Sequence, residues 1–368
     1  MNLIGVSPSI DAGAETESTL RGNRAAFGRV TIWPRCMVDV SDVNMTTHVP
    51  ALGLRNLAAP ILIAPVAMQR AAHPDGECAA ARACAAHSVP YCASQQSTTA
   101  IEEIGRAGGD GPKMFQLYVL SDRDATAKLI RRAETMGATA LCITVDAPVL
   151  GRRERDVRNR FKLKAGLKLV NVENAKNEKN AKNADNQTKS AVDAKRAQSA
   201  IARRIGGRDA SLSWDHLVWL RTVTKLPIVL KGICTYADAK LATQAGVAAV
   251  WVSNHGGRQL DGSAATLDAL PEVVAGVAGA CPVIFDGGVR RGSDVLKALA
   301  LGADLVAVGR PCAWGLACGG EVGVGKALEL LTEELRVAMT LAGCVDVKAA
   351  RRRGLVQRLG EKPPRCRL

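Results

Sequence analysis

Aromatic residues are scarce in this chain of 368 residues, where Phe, Tyr and Trp together make up 3%. The formal net charge is +14, but proteins that bind single-stranded nucleic acid stack bases on aromatic side chains, so we do not expect nucleic-acid binding. The basic charge instead indicates a solvated surface that attracts small anions. Apolar runs long enough to span a bilayer are also missing, so we expect no association with a membrane.

Cysteine pairs of the CxxC type are missing as well. The 11 cysteines are scattered, many of them in apolar runs, and we expect no signal peptide before them. We therefore expect reduced core thiols of an intracellular protein rather than a disulfide framework. Cys84 and His87 form the nearest His/Cys grouping, but they lie in an Ala-rich helical stretch, which favours packing over zinc.

Short apolar runs alternate along the chain with amphipathic, Ala-rich segments of helical periodicity. Eight such runs are typical of buried parallel strands. They are residues 59–66, 90–94, 113–119, 140–146, 226–232, 248–255, 281–288 and 305–311. A doubly wound sheet is the alternative, but no GxGxxG opens a first βα turn. The pattern predicts a single α/β domain over residues 1–368, folded as a (β/α)8 TIM barrel.

The alternation is interrupted after the fourth run. Residues 173–199 are rich in Asn, Lys and Ala and contain almost no large apolar residue. We interpret them as a low-complexity, mobile insertion in the loop after strand four, with a solvated linker favoured. A gate over the active site is the alternative, because βα loops form the catalytic face of a barrel.

Polar side chains close seven of the eight predicted strands. Barrel active sites are built from the carboxyl ends of the strands, so this ring of polar residues predicts a site. The strand-end residues are Ala67, Ser94, Gln116 with Tyr118, Thr144 with Asp146, Lys231, Ser253 with His255, Asp286, and Gly309 with Arg310.

The last two predicted strands end in DGGVRRG and VGRP. Glycines expose backbone N–H groups and arginines follow, which suits a phosphate at its usual position in barrels; glycines that only form tight turns are the alternative. Lys231 at the end of strand five would need a nearby anion, which a ligand or a structural carboxylate could supply.

His255 is followed by two glycines and Arg258 in the segment SNHGGRQLDG. We expect the glycines to leave room for a ligand and Arg258 to bind a carboxylate through its two-pronged guanidinium. Asp146 could orient the imidazole and stabilise its cation. This arrangement suits proton removal from an acid substrate, although a structural histidine is the alternative.

Six motifs occur in a characteristic order: IAPVAM, FQLYV, TVDAPVLGRRERD, SNHGGRQLDG, DGGVRRGSDVLKALALGAD and VGRP. From about Gly13 to about Gly343 the chain resembles the FMN-dependent α-hydroxy acid oxidases. The resemblance implies bound FMN and oxidation of a 2-hydroxy acid, such as glycolate, lactate or a longer acid, with reduction of O2 to H2O2. Two alternatives are a dehydrogenase of the same family that uses a quinone or cytochrome, and a flavin-binding protein with little turnover.

The resemblance also implies roles for individual residues. His255 would be the base, with Asp146 as its partner. Arg153 and Arg258 would bind the substrate carboxylate, with Tyr118 near the substrate oxygen, and Lys231 would lie at the N1 and O2 edge of the flavin. The other residues lining the flavin would be Pro65, Val66, Ala67, Ser94, Gln116, Thr144 and Ser253. The ribityl phosphate would be held by Asp286, Gly287, Gly288, Val289, Arg290, Gly309 and Arg310.

A few positions bear on the electron acceptor, the substrate and the cellular location. Ala67 matches the oxidases, which favours oxygen as the acceptor. Ser9 replaces a carboxylate-binding tyrosine of the family, and Gln96 stands where plant glycolate oxidases have Trp, so the pocket differs. The tripeptide Cys366, Arg367 and Leu368 resembles a peroxisomal address, which implies an import receptor as partner. Members of the family commonly form tetramers, so we expect a homo-oligomer.

Overall fold

The computed structural model describes residues 10–172, 207–352 and 354–361. Its strands are β1 (Val30–Ile32), β2 (Thr47–Val49), β3 (Leu54–Leu57), β4 (Ile61–Ile63), β5 (Tyr91–Ser94), β6 (Lys113–Leu117), β7 (Leu141–Thr144), β8 (Ile228–Ile233), β9 (Ala249–Val252), β10 (Val283–Phe285), β11 (Leu305–Val308) and β12 (Val356–Arg358). Strands β4 to β11 pair in parallel and in chain order, and β11 closes on β4. Each predicted run contains one barrel strand or nearly all of it, and the predicted TIM barrel is confirmed.

Successive side chains of the barrel strands point to opposite sides, as the pleat requires. On β4, Leu62 packs in the inner core, whereas Ile61 and Ile63 pack outwards against the helices. The β2–β3 hairpin adds Leu54 and Leu57 to the inner core. With its interior filled in this way, the barrel leaves space for ligands at its other end.

Helices follow the barrel strands and cover the outside of the barrel. They are α1 (Ser18–Gly28), α2 (Gly76–Ala86), α3 (Ile101–Ala107), α4 (Arg123–Thr135), α5 (Glu154–Arg158), α6 (His216–Val223), α7 (Tyr236–Gln244), α8 (Thr266–Val277), α9 (Gly292–Ala300), α10 (Arg310–Leu341) and α11 (Val347–Ala350). Asp122 and Thr235 accept hydrogen bonds from the first turns of α4 and α7 and so fix where these helices begin. The α10 segment is interrupted at Gly319 and Gly320, which have non-helical dihedrals.

The segment that enters α1 lies against the loop after β9. The Ala14 N–H donates to the Gly257 carbonyl over 2.8 Å, and the Asp261 carboxylate accepts from the Thr19 N–H over 2.9 Å. A Cβ on Gly257 would lie 2.6 Å from the Leu20 nitrogen. The expectation that both glycines leave room for a ligand is therefore wrong for Gly257, which leaves room for the α1 backbone instead.

The cysteines only partly match the expectation that they are reduced thiols in the core. Cys84, Cys92, Cys142, Cys312 and Cys344 are buried, but Cys36 and Cys318 are exposed, so the expectation of core thiols is wrong for these two. All ten cysteines in the described residues are free thiols.

Within residues 10–172, 207–352 and 354–361, no helix is long and apolar enough to cross a membrane. The predicted insertion at residues 173–199, Ser9 and the tripeptide ending in Leu368 lie outside the described residues.

Gly257→Ala is expected to destabilise the protein more than Gly262→Ala. Both glycines have positive φ, +75° and +77°, so both alanines carry the backbone strain of about 1–2 kcal/mol. Only Gly257 is crowded, because nothing lies within 4 Å of a Cβ on Gly262. Thermal unfolding of the two variants measures the difference, and equal midpoints would show that α1 does not constrain this loop.

Candidate active site

A cavity opens at the carboxyl ends of the barrel strands. It is lined by all the predicted site residues except Asp146 and Ser253, which are hydrogen-bonded to the lining residues His255 and Lys231. The lining set comprises Pro65, Val66, Ala67, Ser94, Gln116, Tyr118, Thr144, Arg153, Lys231, His255, Arg258, Asp286, Gly287, Gly288, Val289, Arg290, Gly309 and Arg310. The ring of polar strand ends has therefore assembled around one space. The roles assigned to the individual residues stay predictions.

His255 lies between an acid and a phenol. Its Nδ1 donates to Asp146 Oδ1 over 2.9 Å, and its Nε2 lies 3.4 Å from the Tyr118 hydroxyl. The bond to Asp146 places the ring proton on Nδ1 and leaves the Nε2 lone pair as the available base. The backbone of His255 is left-handed, with φ of +59°, and its N–H donates to Ser253 Oγ over 3.1 Å. Strained backbone of this kind is a frequent feature of functional sites.

Burial and neighbouring charges set the protonation of this pair. Burial lowers the pKa of His255, and the positive charges of Lys231 and Arg153 lower it further, against the opposing effect of Asp146. Burial alone would raise the pKa of Asp146, but its bond to His255 and the charge of Lys231 bring that pKa below its usual value. The imidazole is therefore poised as a neutral base beside an ionised carboxylate.

Lys231 is buried inside a hydrogen-bonded group that joins three strand ends. Its ammonium donates to Ser253 Oγ over 2.7 Å and lies 3.2 Å from Asp286 Oδ2, while the Ser253 hydroxyl donates to Asp286 Oδ1 over 2.8 Å. Burial alone would lower the pKa of Lys231, but the carboxylates of Asp286 and Asp146 raise it above its usual value. The ammonium therefore stays charged, and the anion expected for it is the structural carboxylate of Asp286. The phosphate role implied for Asp286 stays a prediction.

The N-terminal segment positions two arginines of the site. Arg258 Nη1 donates to the Ala12 carbonyl over 2.8 Å, and Arg310 donates to the Ala12 carbonyl over 3.2 Å and to the Gly256 carbonyl over 3.1 Å. Burial lowers the pKa of Arg258 well below its usual range, and Arg153 and Arg310 lower it further. Such a cluster of buried cations favours an anionic ligand.

The ends of β10 and β11 have the features of a phosphate site. Gly287 and Gly288 have φ of +118° and +86°, and a Cβ on either would lie within 2.2 Å of a neighbouring atom, so only glycine fits. Gly309 immediately precedes α10, whose N-terminus carries the positive end of the helix dipole. Burial lowers the pKa of Arg290, and Arg24 lowers it further. The glycine-rich backbone, the α10 N-terminus and the Arg290 guanidinium match the phosphate of FMN. Nearer β4 and β6, the apolar side chains of Pro65 and Val66 and the amide of Gln116 match a flat ring system.

A chain of hydrogen bonds fixes the polar side chains on the other side of the cavity. Ser94 Oγ donates to Gln116 Oε1 over 3.2 Å, and Gln116 Nε2 donates to Thr144 Oγ1 over 2.9 Å. All three residues are buried. Ser94 and Thr144 end β5 and β7, and Gln116 is the residue before the end of β6. A ligand ring would therefore meet a preorganised polar wall here.

Sequence reasoning missed several residues of the site. Arg208 lines the cavity with its guanidinium 4.4 Å from the centre of the Tyr118 ring, yet it does not close a strand, so the strand-end rule could not find it. Gln259 donates to the carbonyls of Asp146 and Val149 and so ties the loops after β7 and β9 together. Among the described residues, no group of three or more His, Cys, Asp or Glu side chains is placed to hold a metal ion.

The chain matches known proteins over most of its length. A model of the FMN-dependent dehydrogenase family matches residues 6–357. Human 2-hydroxyacid oxidase 1 is 46% identical over 92% of this chain and 88% of its own length, and L-lactate oxidase from Nostoc is 48% identical over 92% and 89%. The solved structure of a mandelate oxidase with (S)-4-hydroxymandelic acid superposes with a TM-score of 0.83 at 44% identity, covering 95% of this chain and 93% of that one.

Arg290→Met is expected to weaken FMN binding by about 10- to 100-fold, because a hydrogen bond between charged groups contributes about 1.5–3 kcal/mol. The matched control is Arg291→Met, since this neighbouring arginine is exposed and pairs with Glu334 over 2.8 Å. Titration of the apoprotein with FMN, followed by flavin fluorescence, gives both dissociation constants. Equal affinities in the two variants would remove Arg290 from the phosphate site.

Proposed function

The chain belongs to the FMN-dependent dehydrogenase family, and from this premise we propose that it is an (S)-2-hydroxy acid oxidase. The reaction oxidises a 2-hydroxy acid to the 2-oxo acid, with loss of two electrons and two protons, and reduces O2 to H2O2. FMN is the cofactor and, when bound, supplies the two-electron acceptor. The observation that carries the proposal is a neutral His255 held by Asp146 at a cavity lined by arginines.

His255 acts as the base. Its Nε2 faces the Tyr118 hydroxyl at 3.4 Å, so a substrate oxygen placed there would lie within reach of both groups. The proton taken by Nε2 forms an imidazolium, which the Asp146 carboxylate at 2.9 Å stabilises. This role holds whether electrons leave as a hydride from Cα or through a carbanion, because either route needs a base.

Arg153 and Arg258 bind the substrate carboxylate in this proposal. Both line the cavity, and burial lowers the pKa of each, so an anion between them is favourable. Arg258 is already oriented by the Ala12 carbonyl. Lys231 keeps a positive charge beside the ring site, which would offset the negative charge that bound FMN gains on reduction.

Oxygen as the final acceptor is supported by the named oxidases among the relatives and by Ala67, which lines the cavity. We further propose a peroxisomal location, because an H2O2-producing reaction benefits from confinement with a peroxide-consuming enzyme. Recognition of Cys366, Arg367 and Leu368 by an import receptor would provide the route. A homotetramer is proposed from the resemblance to the family alone.

His255→Ala is expected to leave FMN bound but to slow its reduction by at least about 100-fold, since general-base catalysis contributes 10²–10⁴-fold. The measurement is bleaching of the flavin absorbance by glycolate, (S)-lactate or a longer hydroxy acid without oxygen. His87→Gln is the control, because His87 also lies beside a carboxylate, Glu329, but outside the cavity. Bleaching of the His255→Ala protein at the parent rate would refute the base assignment.

Asp146→Asn is expected to shift the acid limb of the kcat/KM profile to lower pH. Asp146 raises the pKa of His255, so its removal lowers that pKa, and the neutral base then persists in more acidic solution. The maximal rate falls at the same time, because the imidazolium loses its stabilising carboxylate. A pH profile of flavin reduction measures both effects. An acid limb that stays in place or moves upward contradicts the pairing.

A further inference from the structure

We propose that Arg208 binds a second anionic group of the substrate, so that the preferred substrates are 2-hydroxy dicarboxylates. This inference rests on the proposed function and specifies its substrate class. It concerns a residue that is neither the base nor one of the two arginines proposed for the first carboxylate.

The position of Arg208 carries the argument. Arg208 is only 6% exposed, and its guanidinium lies 4.4 Å from the centre of the Tyr118 ring. The hydroxyl of the same tyrosine lies 3.4 Å from His255 Nε2. Tyr118 therefore contacts both Arg208 and the proposed base, and all three residues line the cavity. A substrate whose reacting carbon lies at His255 could extend a short chain towards Arg208.

Charge supports the same conclusion. Among the described residues that line the cavity, six are cationic and one, Asp286, is acidic. Arg290 and Arg310 lie at the proposed phosphate end, and Lys231 pairs with Asp286.

Three further guanidiniums, those of Arg153, Arg208 and Arg258, line the same cavity as His255. Burial lowers the pKa of Arg153, and Arg208 lowers it further, while Asp156 opposes this. A second negative charge would relieve the repulsion between these arginines.

A carboxylate fits better than an apolar tail at this position. A guanidinium that stacks on an aromatic ring keeps its N–H donors in its own plane, where they can bind a carboxylate through two parallel hydrogen bonds. Beyond Tyr118 and Arg208 lies a second cavity whose lining includes Leu212, Trp214 and Leu217. An acid with a long apolar chain would have to pass the buried guanidinium to reach it, which is unfavourable.

The test compares two acids with the same number of carbons, (S)-malate and (S)-2-hydroxybutyrate, on the holoenzyme. We expect kcat/KM to be about 10- to 100-fold higher for (S)-malate, the range of a hydrogen bond between charged groups. Arg208→Met should reduce this ratio at least about tenfold, and Arg208→Lys, which keeps the charge without the planar fork, should give an intermediate ratio. Arg131→Met, an exposed arginine of α4, is the control and should leave the ratio unchanged.

A binding measurement makes the test independent of turnover. Succinate and butyrate lack the hydroxyl group and cannot be oxidised, so the shift each causes in thermal unfolding reports binding alone. Succinate should stabilise the parent protein more than butyrate does, and Arg208→Met should abolish the difference. This comparison holds for the parent protein even if the methionine variant does not fold.

The outcomes separate the two proposals. If (S)-2-hydroxybutyrate or (S)-2-hydroxyoctanoate is oxidised as well as or better than (S)-malate, the role of Arg208 is refuted while the oxidase function stands. An unchanged ratio of kcat/KM between the two acids in Arg208→Met also refutes the role of Arg208. If no hydroxy acid bleaches the flavin, the oxidase function fails and the substrate assignment fails with it.

Discussion

The contact between His255 and Asp146 is the interaction on which the rest of the site depends. The two residues follow β9 and β7, and β8 runs between those strands, so the contact crosses an intervening strand. Gly232 on β8 makes this possible, because a Cβ there, at φ of +111°, would lie 2.6 Å from the Asp146 Cβ. The left-handed backbone of His255 then turns the imidazole towards the carboxylate. Local backbone strain therefore lies at the residue proposed as the base.

A second constraint is the concentration of positive charge in the mouth of the barrel. Burying several guanidiniums side by side is unfavourable unless anions enter, and two anions are proposed here: a phosphate near Arg290 and a substrate near Arg258. Lys231 differs from these arginines because Asp286 already balances its charge. Cofactor and substrate would therefore stabilise the folded protein as well as react within it.

The sequence predicted the eight strands because short apolar runs bounded by Gly, Pro or polar residues are typical of buried parallel strands. It also predicted which side chains meet, since all strand ends of a barrel share one face. It did not predict Arg208, which reaches the cavity from a loop, where neither periodicity nor a strand end marks it. The sequence also did not predict the contact of Gly257 with Leu20, because this contact joins segments far apart in the chain. The local spacing of SNHGG could not show whether a ligand or a helix lies next to the glycines.

The pairing of β1 with β12 has a consequence for how the protein is made. Val30 lies opposite Arg358 in this antiparallel ribbon, so a segment that precedes the barrel strands is paired with one that follows them. The same early region supplies the Ala12 carbonyl that holds Arg258 and Arg310. Contacts between residues so distant in sequence form late and slow the folding of a domain. On the ribosome, these contacts would therefore form only after all eight barrel strands between them have emerged.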